Sequence, residues 1–327
     1  MASSSLDSLE RPGTDRQRGA LLELLAFLRA NQYEFVTATP ATHARVVARQ
    51  DRQRAGNLRD VLGWSLPFAP GIVPPSIVDL LEQADALAER DDGLLAAGVR
   101  VSSVRGALFL HSAYPTLGEQ SVFLGPDSYR FADLIVARMG TAPHRARILD
   151  YGAGAGVGGI TAALNAPGAG LVLADINPKA LFLASVNAEF AGIDYATSEV
   201  SRPADLDGDF DLIVTHPPFM MDGGKRAYRD GGDLFGGQLS LDWVCDGMGM
   251  LRLGGRLISH TGASIVGGRD VLRDALRERV PATGFAFDYD ELDPDIFGDE
   301  LDKPAYSQVE RIAAVGIVLT RMAASPA

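Results

Sequence analysis

Apolar residues recur at helical spacing over residues 16–31, where Leu21, Leu22, Leu24, Leu25, Phe27 and Leu28 form one broad face and Thr14 or Asp15 is placed to cap it. This predicts an amphipathic helix. A second helix is expected after Thr39-Pro40, carrying Val46 and Val47 inward. A third is expected after Pro74-Pro75, with Ile77, Val78, Leu80, Leu81 and Leu87, because proline fits the first helical position. The period then shortens. Val99, Val101, Val104 and residues 107–111 are β-rich and broken by Arg105-Gly106, the pattern of a small hairpin. A linking helix is expected over residues 128–139.

From residue 146 onward, strand and helix patterns alternate. Strands are expected at 148–149, 171–174, 211–215, 256–260, 285–287 and 312–320, and helices at 178–190, 239–251 and 269–280. Such βαβ repetition demands a mostly parallel sheet covered by helices on both faces, with ligands at the carboxyl ends of strands near the switch point. The expected organisation is a mostly helical N-terminal domain at 1–98, a β-hairpin linker at 99–126 and an α/β, Rossmann-like domain at 127–327.

Composition narrows the function. The 327 residues are 46% hydrophobic and 22% charged, globular values for a chain long enough for two domains. The net charge of −12 repels phosphate backbones and anionic membrane surfaces, so no membrane association and no DNA partner are expected. Residues 1–147 hold 16 basic and 16 acidic side chains, whereas 148–327 hold 14 and 26, so the excess sits entirely in the second half. RNA therefore ranks below a protein or small-molecule partner. Cys245, the one cysteine, excludes an intramolecular disulfide and a cysteine-based structural zinc site. The polar start at 1–19 lacks an apolar signal region, and the longest apolar stretches are strand-sized, so a soluble cytoplasmic protein is expected.

The sharpest chemical feature is Ile148-Leu-Asp150-Tyr-Gly152-Ala-Gly154-Ala-Gly156, a strand running into a glycine loop and then a helix. Glycines let the backbone approach a ligand that side chains would exclude, and the helix start offers unpaired N–H groups. The next strand ends in Asp175-Ile176-Asn177, whose acid, 19 residues after Gly156, suits a ribose diol. Gly154, Gly156 and Gly159 also fit a dinucleotide fingerprint. Asp150 separates the two cofactors, because a carboxylate there repels a pyrophosphate but suits the ammonium and sulfonium charges of S-adenosyl-L-methionine.

The following strand ends in Thr215-His216-Pro217-Pro218-Phe219, a stiff extended turn. Here the sequence resembles the HemK-type branch of class I methyltransferases, whose strand ends in Asn-Pro-Pro-Tyr. The resemblance extends to Tyr228-Arg-Asp230-Gly231-Gly232-Asp233, to Leu253-Gly-Gly-Arg-Leu257 and to Gly125-Pro-Asp127-Ser-Tyr129, and covers roughly residues 99–290. It implies a Rossmann-like methyltransferase domain behind an N-terminal substrate-recognition domain, with S-adenosylmethionine as cofactor. It also implies that His216, Pro217, Pro218 and Phe219 grip a planar amide or amine, and that Asp150, Gly152, Gly154, Gly156, Asp175, Ile176 and Asn177 hold the cofactor.

His216 departs from the family's asparagine. A neutral imidazole offers one acceptor and one donor, so it can take one amine hydrogen or act as a general base toward a hydroxyl. The first reading is therefore N-methylation of a planar amide or amine on a protein, RNA or small molecule. A small-molecule O-methyltransferase with His216 as base is the alternative, and a nicotinamide (NAD) dehydrogenase ranks below both because it leaves the double proline unexplained. The acid-rich stretch 288–302 reads as a solvated loop, the arginines at 45, 49, 52, 54 and 59 as a solvated helix face, and Cys245 as a buried filler. His43, His111, His144 and His260 lack metal-ligand spacing and read as structural, so no metal is expected.

Overall fold

The computed structural model describes residues 13–116, 118–206, 208–224 and 228–323. The polar start up to Pro12, read above as evidence against a signal segment, lies outside them. Helix α1 (Asp15–Ala30) begins on a reciprocal cap, in which the Thr14 N–H donates to Gln17 Oε1 at 2.7 Å and the Gln17 N–H donates to Thr14 Oγ1 at 3.2 Å. Helix α2 (Pro40–Val47) is capped by Thr39, a short α3 (Leu58–Leu62) follows, and α4 (Pro75–Gln83) starts with proline at its first position. Two small antiparallel hairpins come next. Strands β1 (Leu87–Glu89) and β2 (Leu95–Ala97) form one, and β3 (Val99–Val104) and β4 (Ala107–Ser112) form the other across Arg105-Gly106, both left-handed. The first hairpin and α3 carry too few periodic positions to be read from the chain.

Helix α5 (Pro126–Arg138) leads into β5 (Arg147–Tyr151), α6 (Val157–Leu164), β6 (Gly170–Asp175), α7 (Pro178–Phe190), β7 (Tyr195–Glu199) and β8 (Phe210–Thr215). Helix α8 (Gln238–Met250), β9 (Leu251–Val266), β10 (Arg269–Asp270), α9 (Val271–Arg279), β11 (Phe285–Asp293) and β12 (Arg311–Arg321) complete the described chain. Strand β7 escapes the sequence pattern because its residues are polar and half-exposed, as an edge strand tolerates.

The described residues fall into two compact units, one of 13–129 with 154–157 and 177–193, the other of 130–153, 158–176 and 194–323. The first is built on Leu21, Leu24, Leu25 and Leu28 of α1, with Ile77 and Leu81 of α4 and Phe35, Phe68 and Phe109, all essentially unexposed. Burying each such side chain contributes roughly 1.5–3 kcal/mol. Asn187 of α7 ties into this unit by accepting the Leu110 N–H at 2.9 Å and donating to Leu110 O at 3.1 Å and Ala155 O at 2.9 Å.

The second unit holds a sheet in the order β11-β12-β9-β8-β5-β6-β7. Strands β9, β8, β5, β6 and β7 run parallel, whereas β12 runs antiparallel between β9 and β11. The sheet is Rossmann-like and covered on both faces. Val315, Ile317 and Leu319 pack with Leu241 and Val244 of α8 and Leu272 and Leu276 of α9. Gly316, pointing the other way, approaches Leu134 of α5 so closely that an added Cβ would lie 3.0 Å from it. The chain leaves β5 toward β6 and β7 and returns to β8 on the other side, so the carboxyl ends of β5 and β8 flank the switch point. No helix among the described residues is long and apolar enough to cross a membrane.

One expectation is corrected here. The acid-rich stretch 288–302 is no loop in its first part, because residues 288–293 continue β11 opposite β12. Four of its eight acids have basic partners. Asp290 meets Arg138 at 2.5 Å, Asp293 meets Arg130 at 2.7 Å, Glu291 meets Arg311 at 3.0 Å and Glu300 meets Arg229 at 2.6 Å.

Candidate active site

Strand β5 buries Ile148 and Leu149 before Asp150, which is 2% exposed. Its Oδ2 accepts the Gly159 N–H at 2.7 Å and so ties the strand end to the first turn of α6. Burial raises this carboxyl to about 8, with the Gly159 bond opposing and the charge of Asp175 adding to the rise. A Cβ on Gly159 would lie 2.6 Å from Leu171 Cδ1 and 2.7 Å from Asp150 Cβ, so close approach of helix and strand requires glycine there. Gly152, at φ +69°, turns the chain off the strand, and its N–H and that of Ala153 donate to Ala174 O at 2.9 and 3.1 Å. A Cβ on Gly152 would meet the Trp243 ring at 2.6 Å. Gly154 and Gly156 are also left-handed, at +54° and +78°.

At the end of β6, Asp175 is half-buried and Ile176 is 57% exposed. Asn177 caps α7, its Oδ1 accepting the Lys179 N–H at 3.0 Å and its Nδ2 donating to Gln120 O at 3.0 Å. That capping task was not foreseen from the chain.

Strand β8 carries the other half of the site. Thr215 donates to Tyr151 O at 2.8 Å and aligns the ends of β8 and β5. His216 Nδ1 lies 2.7 Å from His260 O. A carbonyl only accepts, so Nδ1 carries the proton and, in the neutral ring, Nε2 carries the lone pair. The His260 ring is wholly buried, with its Nδ1 3.1 Å from His216 Nδ1. Burial first, then the neighbouring His216 and Arg130 charges, holds His260 well below the usual imidazole range. Phe131 stacks on His216 with centroids 5.5 Å apart, and Phe219 meets it edge-on at 5.9 Å.

Phe219 is 8% exposed and packs in a cluster with Met220, Ile296, Tyr306, Val309, Ile312 and Ala314. The cluster is pinned by backbone bonds that join Met220 to Arg229 and Gly231 at 3.0 and 2.8 Å, and by the Met221 N–H donating to Tyr306 Oη at 2.8 Å. The Asp-Gly-Gly segment thus lies directly beside the proline turn. Its glycines allow this, since an added Cβ on Gly231 would lie 2.7 Å from Phe219 Cα.

Residues 121–231 match the family model of the methyltransferase small domain. The chain is 28% identical over 181 residues to a release factor glutamine methyltransferase of Neisseria gonorrhoeae, covering 53% of this chain and 62% of that protein. It is 40% identical over 89 residues to the ribosomal RNA small subunit methyltransferase C of Haemophilus influenzae, covering 26% of each. A solved T. thermophilus 16S rRNA methyltransferase in complex with AdoMet and guanosine aligns at 16% identity and a TM-score of 0.44, covering 79% of this chain and 64% of that one. The matched stretches span less than two thirds of the length of each of these relatives.

Within the matched region, Asp150, Gly152, Asp175 and His216–Phe219 stand at the carboxyl ends of three adjacent parallel strands. Sequence reasoning missed His260, Phe131 and Trp243. The signal for His260 was present in the strand order, because β8 and β9 pair in parallel with Thr215 opposite Ser259, which puts residue 260 beside residue 216. Phe131 and Trp243 lie on helices that read only as apolar faces.

Proposed function

We propose that this chain is an S-adenosylmethionine-dependent methyltransferase that methylates the nitrogen of a planar amide or amine. The observation that carries the reading is the fixed His216 ring, whose Nδ1–H is committed to His260 O. Its Nε2 then serves as an acceptor at the mouth of the proline turn and takes one hydrogen of the target nitrogen, while the Pro217 carbonyl takes the other. Phe219 and Phe131 supply aromatic walls for a planar group. Withdrawing hydrogen-bonded protons toward two acceptors raises the electron density on an otherwise poor nucleophile.

The residues at the strand ends fit the cofactor. The left-handed glycines 152, 154 and 156 leave backbone where side chains would intrude, Asp175 suits the ribose hydroxyls, and Asp150, once ionised, suits a cationic centre. Ile176 and Asn177 belong to the same strand-to-helix turn. The cofactor supplies an activated methyl on a sulfonium. The protein's task is alignment, since orientation alone accounts for a large part of such a rate.

Relatives named for glutamine methylation of release factors and for ribosomal RNA methylation support a protein or RNA acceptor, and the acidic second half of the chain favours a protein or small molecule over RNA. In this reading residues 1–98 recognise the acceptor, 99–126 link, and 127–327 bind the cofactor. A small-molecule O-methyltransferase is the second reading, favoured by the same Nε2 lone pair acting as a base. The test is isothermal titration of S-adenosylmethionine and S-adenosylhomocysteine into the full chain and into Asp175→Ala. Incubation of labelled cofactor with host lysate, fractionated into protein, RNA and small molecules, follows. Saturable binding weakened in the variant and label in an amide or amine is expected. No binding at all would sink the proposal.

A further inference from the structure

Arg100, in β3 of the first unit, is 2% exposed, and among the described residues it is the largest side chain so fully buried. Its Nε donates to Ser112 O at 3.1 Å. The charged or titratable neighbours of this guanidinium are phenols, Tyr129, Tyr33 and Tyr114, and no carboxylate among the described residues pairs with it. An arginine cannot shed its charge in a protein. Even with burial depressing its affinity for the proton, at about 10 it stays a cation at neutral pH.

The described surroundings supply no counter-charge. Arg100 and His111 are direct cross-strand partners, and Ser102 shares their face, its Oγ 2.7 Å from His111 Nε2 and 2.5 Å from Thr37 Oγ1. Tyr129 Oη accepts the Thr37 N–H at 2.9 Å, and Tyr33 donates to Val101 O at 3.0 Å. Burial raises both phenols, so they remain neutral. His43, stacked on Tyr114 at 3.9 Å, and His111 are held low, first by burial and then by the Arg100 charge. The Nδ1 atoms of both imidazoles are buried without a partner among the described residues. A cation with no counter-charge among the described residues and two imidazole nitrogens with no hydrogen-bond partner there thus share one polar, aromatic-lined cluster.

A buried charge without a counter-charge is costly, and an apolar side chain of similar volume would fill the same space without that cost. The arrangement makes sense if the partner is a ligand. We propose that Arg100 anchors an oxyanion site in the first unit, taking the carboxylate or phosphate group of a bound molecule as a bidentate partner of Nη1 and Nη2. A pair of carboxylate or phosphate oxygens matches the guanidinium fork, and the desolvated setting strengthens the pair. Because so little of Arg100 is exposed, the ligand enters only as covering side chains move, so association is slower than diffusion allows.

The experiment measures the melting temperature of the full chain against sodium acetate, sodium phosphate and, at matched ionic strength, sodium chloride, in wild type and Arg100→Met. Wild type is expected to show a saturable rise with acetate or phosphate beyond that with chloride, and Arg100→Met to lose it or to need at least tenfold more anion. Saturation by acetate alone assigns a carboxylate, and by phosphate alone a phosphate. Without anion the variant should melt no lower than wild type, because it removes an uncompensated charge. A wild type that answers all three salts alike overturns the site, as does a variant that keeps the response or melts lower without anion. Should the variant not fold, the imidazole resonances of His43 and His111 in wild type decide. Saturable movement with acetate or phosphate supports the site, and its absence overturns it.

Discussion

The His216 ring and the His260 backbone carbonyl lie 2.7 Å apart, a contact that fixes which imidazole nitrogen bears the proton. A loop histidine ordinarily interchanges tautomers. Here parallel pairing of β8 with β9 brings the carbonyl to Nδ1, and the buried His260 ring, itself neutral, sits against the same edge. The chemistry offered by His216 is therefore that of Nε2 alone.

From this follows a pH dependence with a definite sign. Protonating Nε2 destroys the acceptor, so methyl transfer is expected to fall in acid. His216→Asn keeps an acceptor that does not titrate and should retain activity within about tenfold, with a flat acid limb, whereas His216→Ala should lose on the order of 10²-fold in kcat/KM. Labelled-methyl transfer across a pH series in the three proteins reads this directly. A severe loss in His216→Asn would instead mark His216 as the base of an O-methyltransferase.

Asp150 predicts a second pH effect. Its carboxyl titrates near 8 in the folded chain against an ordinary 3.8, so the folded state binds more protons in between. Stability linked to this group is full below about pH 4 and is lost as the pH rises toward about 8, with a slope of at most about 1.4 kcal/mol per pH unit. Asp150→Asn keeps an acceptor for the Gly159 N–H and removes the titration, so it should gain on wild type in melting temperature as the pH rises. Cofactor affinity should show the opposite trend, tightening with pH in wild type as the carboxylate forms and staying flat in the variant. Parallel melting and titration series at several pH values check both.

The β5 turn and the proline turn were legible because each joins an apolar strand to residues with few conformational alternatives, glycines at 152, 154 and 156 and prolines at 217 and 218. Strand ends 148–149 and 256–260 were read too short, since Asp150 and the serine-rich run of β9 are polar yet buried, and hydropathy alone does not reveal a polar strand residue satisfied from within. The acidic run 288–302 misled for the complementary reason, because four of its eight charges are matched by Arg130, Arg138, Arg229 and Arg311. Those partners lie elsewhere in sequence, and the β11–β12 pairing, the packing of α5 and the segment that joins Arg229 to Met220 bring them together.

Gly152 tests whether the turn itself matters. Alanine there carries two penalties, a left-handed φ of +69° costing about 1–2 kcal/mol and a Cβ 2.6 Å from the Trp243 ring. Gly152→Ala should therefore melt lower and bind the cofactor at least tenfold more weakly. Adding Trp243→Leu should recover the packing part of the stability but not the conformational part. Full recovery of melting temperature in the double variant would show that the left-handed turn is dispensable.

Glu300 offers a test of how the proline turn is braced. Burial pushes its carboxyl up, but hydrogen bonds from Lys303 and Arg229 and their charges outweigh this and leave it below its ordinary value. Arg229 in turn carries the backbone carbonyl bonded to the Met220 N–H at 3.0 Å, next to Phe219. A depressed carboxyl contributes stability above its unfolded pKa and loses it as the pH falls, so wild type should exceed Glu300→Gln in stability near neutrality, by at most about 1 kcal/mol, and match it in acid. The same variant should raise KM for the methyl acceptor while leaving cofactor affinity unchanged, because the brace reaches Phe219 and not the glycine loop. Melting curves at two pH values, with acceptor and cofactor titrations at neutral pH, separate these effects. A loss of cofactor binding would show that the segment acts on the whole domain and not on the acceptor side alone.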